Sequence, residues 1–150
     1  MKQTSISIAC ISLLFLFLGC NVGSKISEEE AGLAFGVTTR AFMSANLSIS
    51  FRQEVENASY NEEDGVMTFT NFSFDTLKSN LKKDFNYTSM SGTVRKGLNN
   101  TMIADLNLAG GQIKNIKYQV SVQIFNGILP NYFELTINGK SMKIKPGDIF

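Results

Sequence analysis

Few residues of this 150-residue chain are suited to nucleophilic, acid–base or metal chemistry. It has no His and no Trp, and its only two thiols are Cys10 and Cys20. A Ser-His-Asp or Cys-His arrangement therefore cannot be assembled within the chain, and zinc sites of the usual His/Cys kind are excluded with it. Ser79-Asn80-Leu81-Lys82 matches S-x-x-K, a spacing in which a lysine can activate a serine, but the K-T-G and S-D-N elements that complete such a site do not follow. Glu54 and Glu56 stand two apart and in phase with Arg52, which predicts one shared strand face. Paired carboxylates of that kind suit acid–base work on a sugar, although on a polar face they are ordinarily just solvated. Glu62-Glu63-Asp64 offers oxygens to Ca²⁺ but lacks the EF-hand spacing. Gly110-Gly111 lacks both the motif and the strand-to-helix setting of a phosphate loop. On these grounds no catalytic residue, metal or cofactor is expected, and the chain reads as a non-enzyme.

Charge gives a weaker signal. With 14 Lys+Arg against 13 Asp+Glu the net charge is +1, which argues against a nucleic-acid partner. The charges are unevenly divided: residues 20–64 hold 3 basic and 8 acidic groups, residues 65–150 hold 10 basic and 5 acidic. Lys140, Lys143 and Lys145 flank the last predicted hairpin, and Lys114 and Lys117 lie on the outward side of the strongest strand. Together they are a candidate patch for an anionic headgroup, a glycan or an acidic protein partner. The competing assignment is edge protection, for which lysine is the common choice.

The N-terminus is the most informative segment. After Lys2 no charge occurs until Lys25, and Ile6–Leu18 is an unbroken run of apolar and small residues. Such a run spans roughly 20 Å as a helix, short of a ~30 Å hydrocarbon core. A positive start, a short apolar run and Gly19 read as a secretory signal peptide. Phe17-Leu18-Gly19-Cys20 resembles the lipobox of bacterial lipoprotein precursors. Gly19 and Cys20 match it, whereas Phe17 and Leu18 depart from the strict pattern, and relaxed boxes of this kind are similar to those of spirochaetes. The resemblance implies cleavage before Cys20, diacylation of its thiol, and a membrane as partner. Asn21 in place of Asp at the second position implies, by the sorting rule of enteric bacteria, an outer-membrane destination within the cell envelope. The expected organisation is a signal peptide over 1–19, a lipidated tether over 20–26 and a single domain over 27–150. Cys10 then leaves with the signal and Cys20 is lipidated, so no disulfide is expected.

The remainder must build the scaffold. Ser27-Glu28-Glu29-Glu30 is a capping box with its carboxylates at the positive end of the helix dipole. Ala31, Ala34, Phe35, Thr38, Ala41, Phe42 and Ala45 then recur at helical spacing, predicting a helix over 28–45 with Asn46 as C-cap. Leu47, Ile49, Phe51 and Val55 alternate with polar residues and predict a strand over 47–56. A second strand, 66–76, changes phase between Met67/Phe69 and Phe72/Phe74, which places a bulge near Thr70–Asn71. Residues 76–83 read as a helical turn or loop. Phe85 and Tyr87 open a further strand that switches phase before Met90 and Val94. Clean alternation follows at Met102–Leu108, at Ile116–Ile124 and at Phe133–Ile137. Asn138-Gly139 predicts a type I′ hairpin turn into Met142 and Ile144, and Pro146-Gly147 stops the return strand. The fold class is α+β: one N-terminal amphipathic helix packed on a curved antiparallel β-meander of six or seven strands. A β-barrel or sandwich carrying the helix is the alternative.

The functional expectation is a lipid-anchored envelope protein acting as a non-enzymatic binding or structural module. The alternative is a carrier of an apolar ligand or lipid in a cavity between helix and sheet, lined from the 12 phenylalanines. Against it, Phe35, Phe42, Phe69, Phe72 and Phe85 could simply fill the core. Gln123-Ile124-Phe125-Asn126-Gly127 also resembles the Q-x-V-x-G hairpin of cystatins, with Phe125 where the motif has Val. That resemblance implies a protease-binding loop.

Overall fold

The computed structural model describes residues 25–78 and 85–149. Cys10, Cys20 and the S-x-x-K segment at Ser79–Lys82 lie outside the described residues. Helix α1 (Glu28–Ser50) starts where the capping box places it, with the Ser27 hydroxyl accepting the Glu30 amide at 3.0 Å. It runs five residues beyond its predicted end. Leu47, Ile49 and Phe51 do not share a strand face. Ile49 turns toward the core, while Leu47 and Phe51 fall at i+4 and i+8 from Met43 on an exposed stripe. The helix closes with a Schellman motif: Arg52 at φ 57° donates to the Ile49 carbonyl and Gln53 to that of Ser48. The predicted strand 47–56 is therefore a helix end followed by a turn. Among the described residues no helix is long and apolar enough to cross a membrane.

Seven strands follow: β1 (Ala58–Asn61), β2 (Val66–Ser73), β3 (Ser89–Lys96), β4 (Thr101–Ala109), β5 (Asn115–Ser121), β6 (Phe133–Ile137) and β7 (Lys140–Ile144). A four-residue helix α2 (Asp75–Lys78) lies between β2 and β3. The strands form one antiparallel sheet in sequence order, β1 to β7. That order is a meander, and β1 and β7 are its two edges. The sheet is open, so neither the barrel nor the sandwich is formed.

The phase switch in β2 is a bulge, with the register slipping between Phe69 and Phe72. Asn71 takes it up at φ 54°, and β3 holds it in place. The Asn71 backbone amide donates to the Ser91 hydroxyl at 2.8 Å, and the Ser89 hydroxyl donates to the Asn71 side-chain oxygen Oδ1 at 2.6 Å. Gly92, opposite Phe69, adopts φ 133°, and a side chain there would run into the Asp105 backbone of β4. Only glycine tolerates both demands. At the other end of the sheet Asn138 and Gly139 adopt φ 48° and 80°, the paired left-handed residues of a type I′ turn.

One predicted strand begins late and another ends early, each for a local reason. Residues 85–88 are not strand. Tyr87 is instead a buried strut, donating to Glu30 at 2.7 Å and accepting the Ile113 amide at 3.1 Å. Its burial pushes the phenol up, the Ile113 amide opposes this, and the Glu30 carboxylate adds to it, so Tyr87 stays a donor. Val122 and Ile124 do not continue β5, because the Ser121 hydroxyl accepts the Gln123 amide and caps a 3₁₀ helix, Val122–Asn126, that ends at left-handed Gly127. The cystatin-like segment is thus a 3₁₀ turn and not a hairpin tip.

One face of the sheet is apolar: Met67, Phe69, Met90, Val94, Met102, Leu106, Ile116, Tyr118, Val120, Phe133, Leu135 and Ile144 are all buried. Helix α1 lies on that face through small residues, Ala31, Ala34, Thr38, Ala41 and Ala45, with Phe35 inserted between Tyr118 and Phe133, each ring centroid 4.8 Å away. The Thr38 hydroxyl donates back to the Ala34 and Phe35 carbonyls. Tyr118 therefore donates to Thr38 (3.2 Å) and accepts from Thr39 (3.4 Å), which leaves no buried hydroxyl unpaired at this contact.

The alternation in β5 sets a direct test. Val120 is 6% exposed, whereas Ser121 faces water. Val120→Asp should cost several kcal/mol, because it buries a carboxylate without a partner. Ser121→Asp should change stability by no more than about 0.5 kcal/mol, since an aspartate can still cap the 3₁₀ helix. Urea melts of the two variants check the difference.

Candidate functional site

The residues singled out for chemistry are dispersed. Arg52, Glu54 and Glu56 lie in the exposed turn after α1 and share no strand face. Asp64 and Asn61 organise the β1–β2 turn, their side-chain oxygens accepting the Val66 and Glu63 amides. Among the described residues no three His, Cys, Asp or Glu side chains come together as a metal site.

Nor do the five lysines form one field. Lys117, on the polar face of β5, pairs with Asp105 of β4 at 2.7 Å. Lys143 shares that face, 3.3 Å from Glu134 and 4.4 Å above the Tyr132 ring. Glu134 and Tyr132 hold the Lys143 ammonium above its ordinary value. Lys140 is opposite Ile137 and so has the parity of the helix-bearing face. Lys114 precedes β5 and donates to the Gly111 carbonyl at 2.7 Å. Lys145 follows β7. The register therefore brings Lys117 and Lys143 to one face and gives each of them a carboxylate.

The feature that could receive a ligand is elsewhere. A recessed apolar cavity of about 330 Å³ opens between α1 and the β5–β6 connection. Phe35 and Phe133 form its floor, and Ile124, Phe125 and Leu129 its outer wall. Ile149, packed on Gly36 at the tail of the chain, closes one end. Thr39, Arg40 and Met43 line the helix side. The Thr39 hydroxyl is already engaged with Tyr118, so Arg40, which is exposed, supplies the free polar group. Met43 and Leu129 leave 42% and 44% of their surface in water at its edge, while Ile128 and Tyr132, 59% and 46% exposed, line a neighbouring hollow. Such clustering of large apolar side chains marks an interaction site more often than isolated exposure does.

Larger hollows are poorer candidates. One of about 590 Å³ beside the β5–β6 connection is lined by Gln119, Ser121, Gln123, Asn131 and Glu134 along with apolar groups. Another of about 500 Å³ on the outer sheet face lies over Thr93, Arg95, Asp105, Lys117 and Gln119. Both are shallow and wet, whereas small-molecule sites are concave and mostly apolar. A further cavity, about 310 Å³, lies under Phe42 between α1 and the ends of β2, β3 and β4, with Arg95 and Lys96 on its rim.

The recess found lies between α1 and the β5–β6 connection, with Phe35 in its lining; sequence reasoning offered as an alternative a cavity between helix and sheet lined by phenylalanine, and weighed Phe35 as core filler. It missed Arg40, Met43, Leu129 and Phe133 as neighbours. The available signals were the i, i+4, i+8 run Met43–Leu47–Phe51 and the apolar pair Ile128-Leu129 in a segment otherwise marked as a turn. Comparison with protein-family models, with curated proteins and with solved structures finds no match for the chain.

The Asp105–Lys117 pair predicts a pH effect. Its hydrogen bonds from Lys117 and Asn115 hold the Asp105 carboxyl below the usual carboxylate range. The stabilisation is therefore present above the unfolded-state value and is lost as pH falls through the lower folded one. Both side chains are about half exposed, so the effect should stay below about 1 kcal/mol. Asp105→Asn should be less stable than wild type at neutral pH and match it near about pH 2, measured by urea melts at both.

Proposed function

We propose that the chain is a lipid-anchored protein of the bacterial cell envelope, held through Cys20, whose domain is a non-enzymatic binding module for an apolar ligand. In this reading α1 is the first element of the mature domain, packed on a curved meander, and the cavity along its flank is the working site. The observation that carries the binding role is that cavity: an aromatic floor at Phe35 and Phe133, and an apolar outer wall contributed by a short 3₁₀ helix and the loop after it. Met43 and Leu129, each more than two-fifths exposed at its edge, extend that apolar surface to the opening. The anchor rests on the lipobox-like Phe17-Leu18-Gly19-Cys20 and its apolar leader. An outer-membrane destination rests on Asn21.

The two parts separate experimentally. Metabolic labelling with palmitate should mark the wild-type protein, and Cys20→Ser should abolish the label and release the protein from the membrane fraction. Absence of label in wild type would refute the anchor. For the cavity, the uncharged fluorophore N-phenyl-1-naphthylamine should brighten on binding the processed chain carrying Cys20→Ser. Leu129→Glu, a change at a 44% exposed position, should weaken this by about tenfold or more while leaving the urea midpoint close to wild type.

A further inference from the structure

Arg40 is an uncommon residue to find beside such a cavity. It sits on the helix side of the opening, exposed, and makes no ion pair among the described residues. Its helical neighbours at i±3 and i±4 are Val37, Met43, Gly36 and Ser44, none of them a carboxylate. The guanidinium thus has its planar fork of N–H donors available at the mouth of an apolar space. Deeper in, the polarity runs the other way. Phe35 and Phe133 offer no hydrogen bond, the Thr39 hydroxyl is spent on Tyr118, and no buried side-chain polar atom of the described residues lacks a partner. A ligand that fits has an apolar body without polar groups and one anionic head.

Size narrows the class further. At about 330 Å³ the cavity lies at the lower end of ligand sites, which run roughly 300–1,000 Å³. It suits one alkyl chain and is too small for a two-chain lipid. From charge, polarity gradient and volume together we infer that the cavity takes a single-chain alkyl carboxylate, its chain against Phe35 and Phe133 and its carboxylate in the fork of Arg40. Arg40 is a specificity residue in this arrangement, because a bidentate guanidinium–carboxylate pair is geometrically selective as well as strong. The assignment rests on the binding role proposed above and adds the chemistry of the head.

Dodecanoate and dodecanol, both used below their micellar concentrations, test it by displacing N-phenyl-1-naphthylamine from the processed Cys20→Ser chain. Dodecanoate should displace the probe at about tenfold lower concentration than dodecanol. Arg40→Gln should remove that preference, and Leu129→Glu should weaken both ligands. Equal displacement by acid and alcohol in the wild type, or a preference that survives in Arg40→Gln, overturns the carboxylate assignment while leaving the apolar cavity in place. Failure of the fluorophore and of both ligands to bind overturns the two together. Arg40 lies on the solvent side of α1, so Arg40→Gln should fold as wild type, and its urea midpoint serves as the control.

Discussion

The contact between Phe35 and the rings of Tyr118 and Phe133 governs the molecule. The core face of α1 is otherwise small, built of alanine, glycine and threonine with Val37, so the helix approaches the sheet closely and cannot fill much volume by itself. Phe35 is the only aromatic among its buried residues, and it reaches both β5 and β6. The hydroxyls of Thr38 and Thr39 complete the contact by pairing the one polar atom that Tyr118 brings into the core. The same ring that fixes the helix is also the floor of the cavity. Docking of the helix and the proposed binding role therefore share a residue.

Legibility in the sequence follows from how many constraints each segment obeys. β4 was readable at Met102, Ala104, Leu106 and Leu108 because one face is buried along its whole length. The Asn138-Gly139 turn was readable because two consecutive positive φ angles admit few residue types. The bulge at Asn71 was readable as a phase error. The misreadings have a common cause: period-two alternation was taken to be longer than it is. Leu47, Ile49 and Phe51 alternate, yet Leu47 and Phe51 belong to an outer helical stripe that begins at Met43. Val122 and Ile124 continue the pattern of β5, yet Ser121 caps a 3₁₀ turn there. In both places a local hydrogen-bond motif outweighs the hydrophobic period, and periodicity carries no information about such motifs.

The candidate site was less legible than the fold. Its walls come from the non-periodic stretches, the 3₁₀ helix and loop after β5 and the tail after β7, so no spacing rule could assemble them. Arg40 gave no signal in the sequence because an arginine on the outer side of a helix is ordinary. It becomes notable only when its neighbours prove to be apolar and its charge unmatched. The lysines show the reverse. They looked like a patch when counted along the chain, but cross-strand register gives Lys117 and Lys143 acidic partners that sequence distance conceals.

The strand order has a kinetic meaning. Each strand of the meander pairs with the one just before it, so the sheet can grow by short hairpin closures, each of small entropic cost. The helix is the exception. Thr38 must meet Tyr118 across 80 residues of chain, and Phe35, in contact with Tyr118 and Phe133, closes longer spans still. Those closures need β5 and β6 in place, so the seam between α1 and β5–β6 is held by long-range side-chain contacts and not by the sheet's ladder. Among the described residues no backbone hydrogen bond crosses that seam, so it costs less to open than the sheet does, and the cavity lies along it. In the proposed binding role a guest enters through local opening of that seam, with the sheet itself left intact.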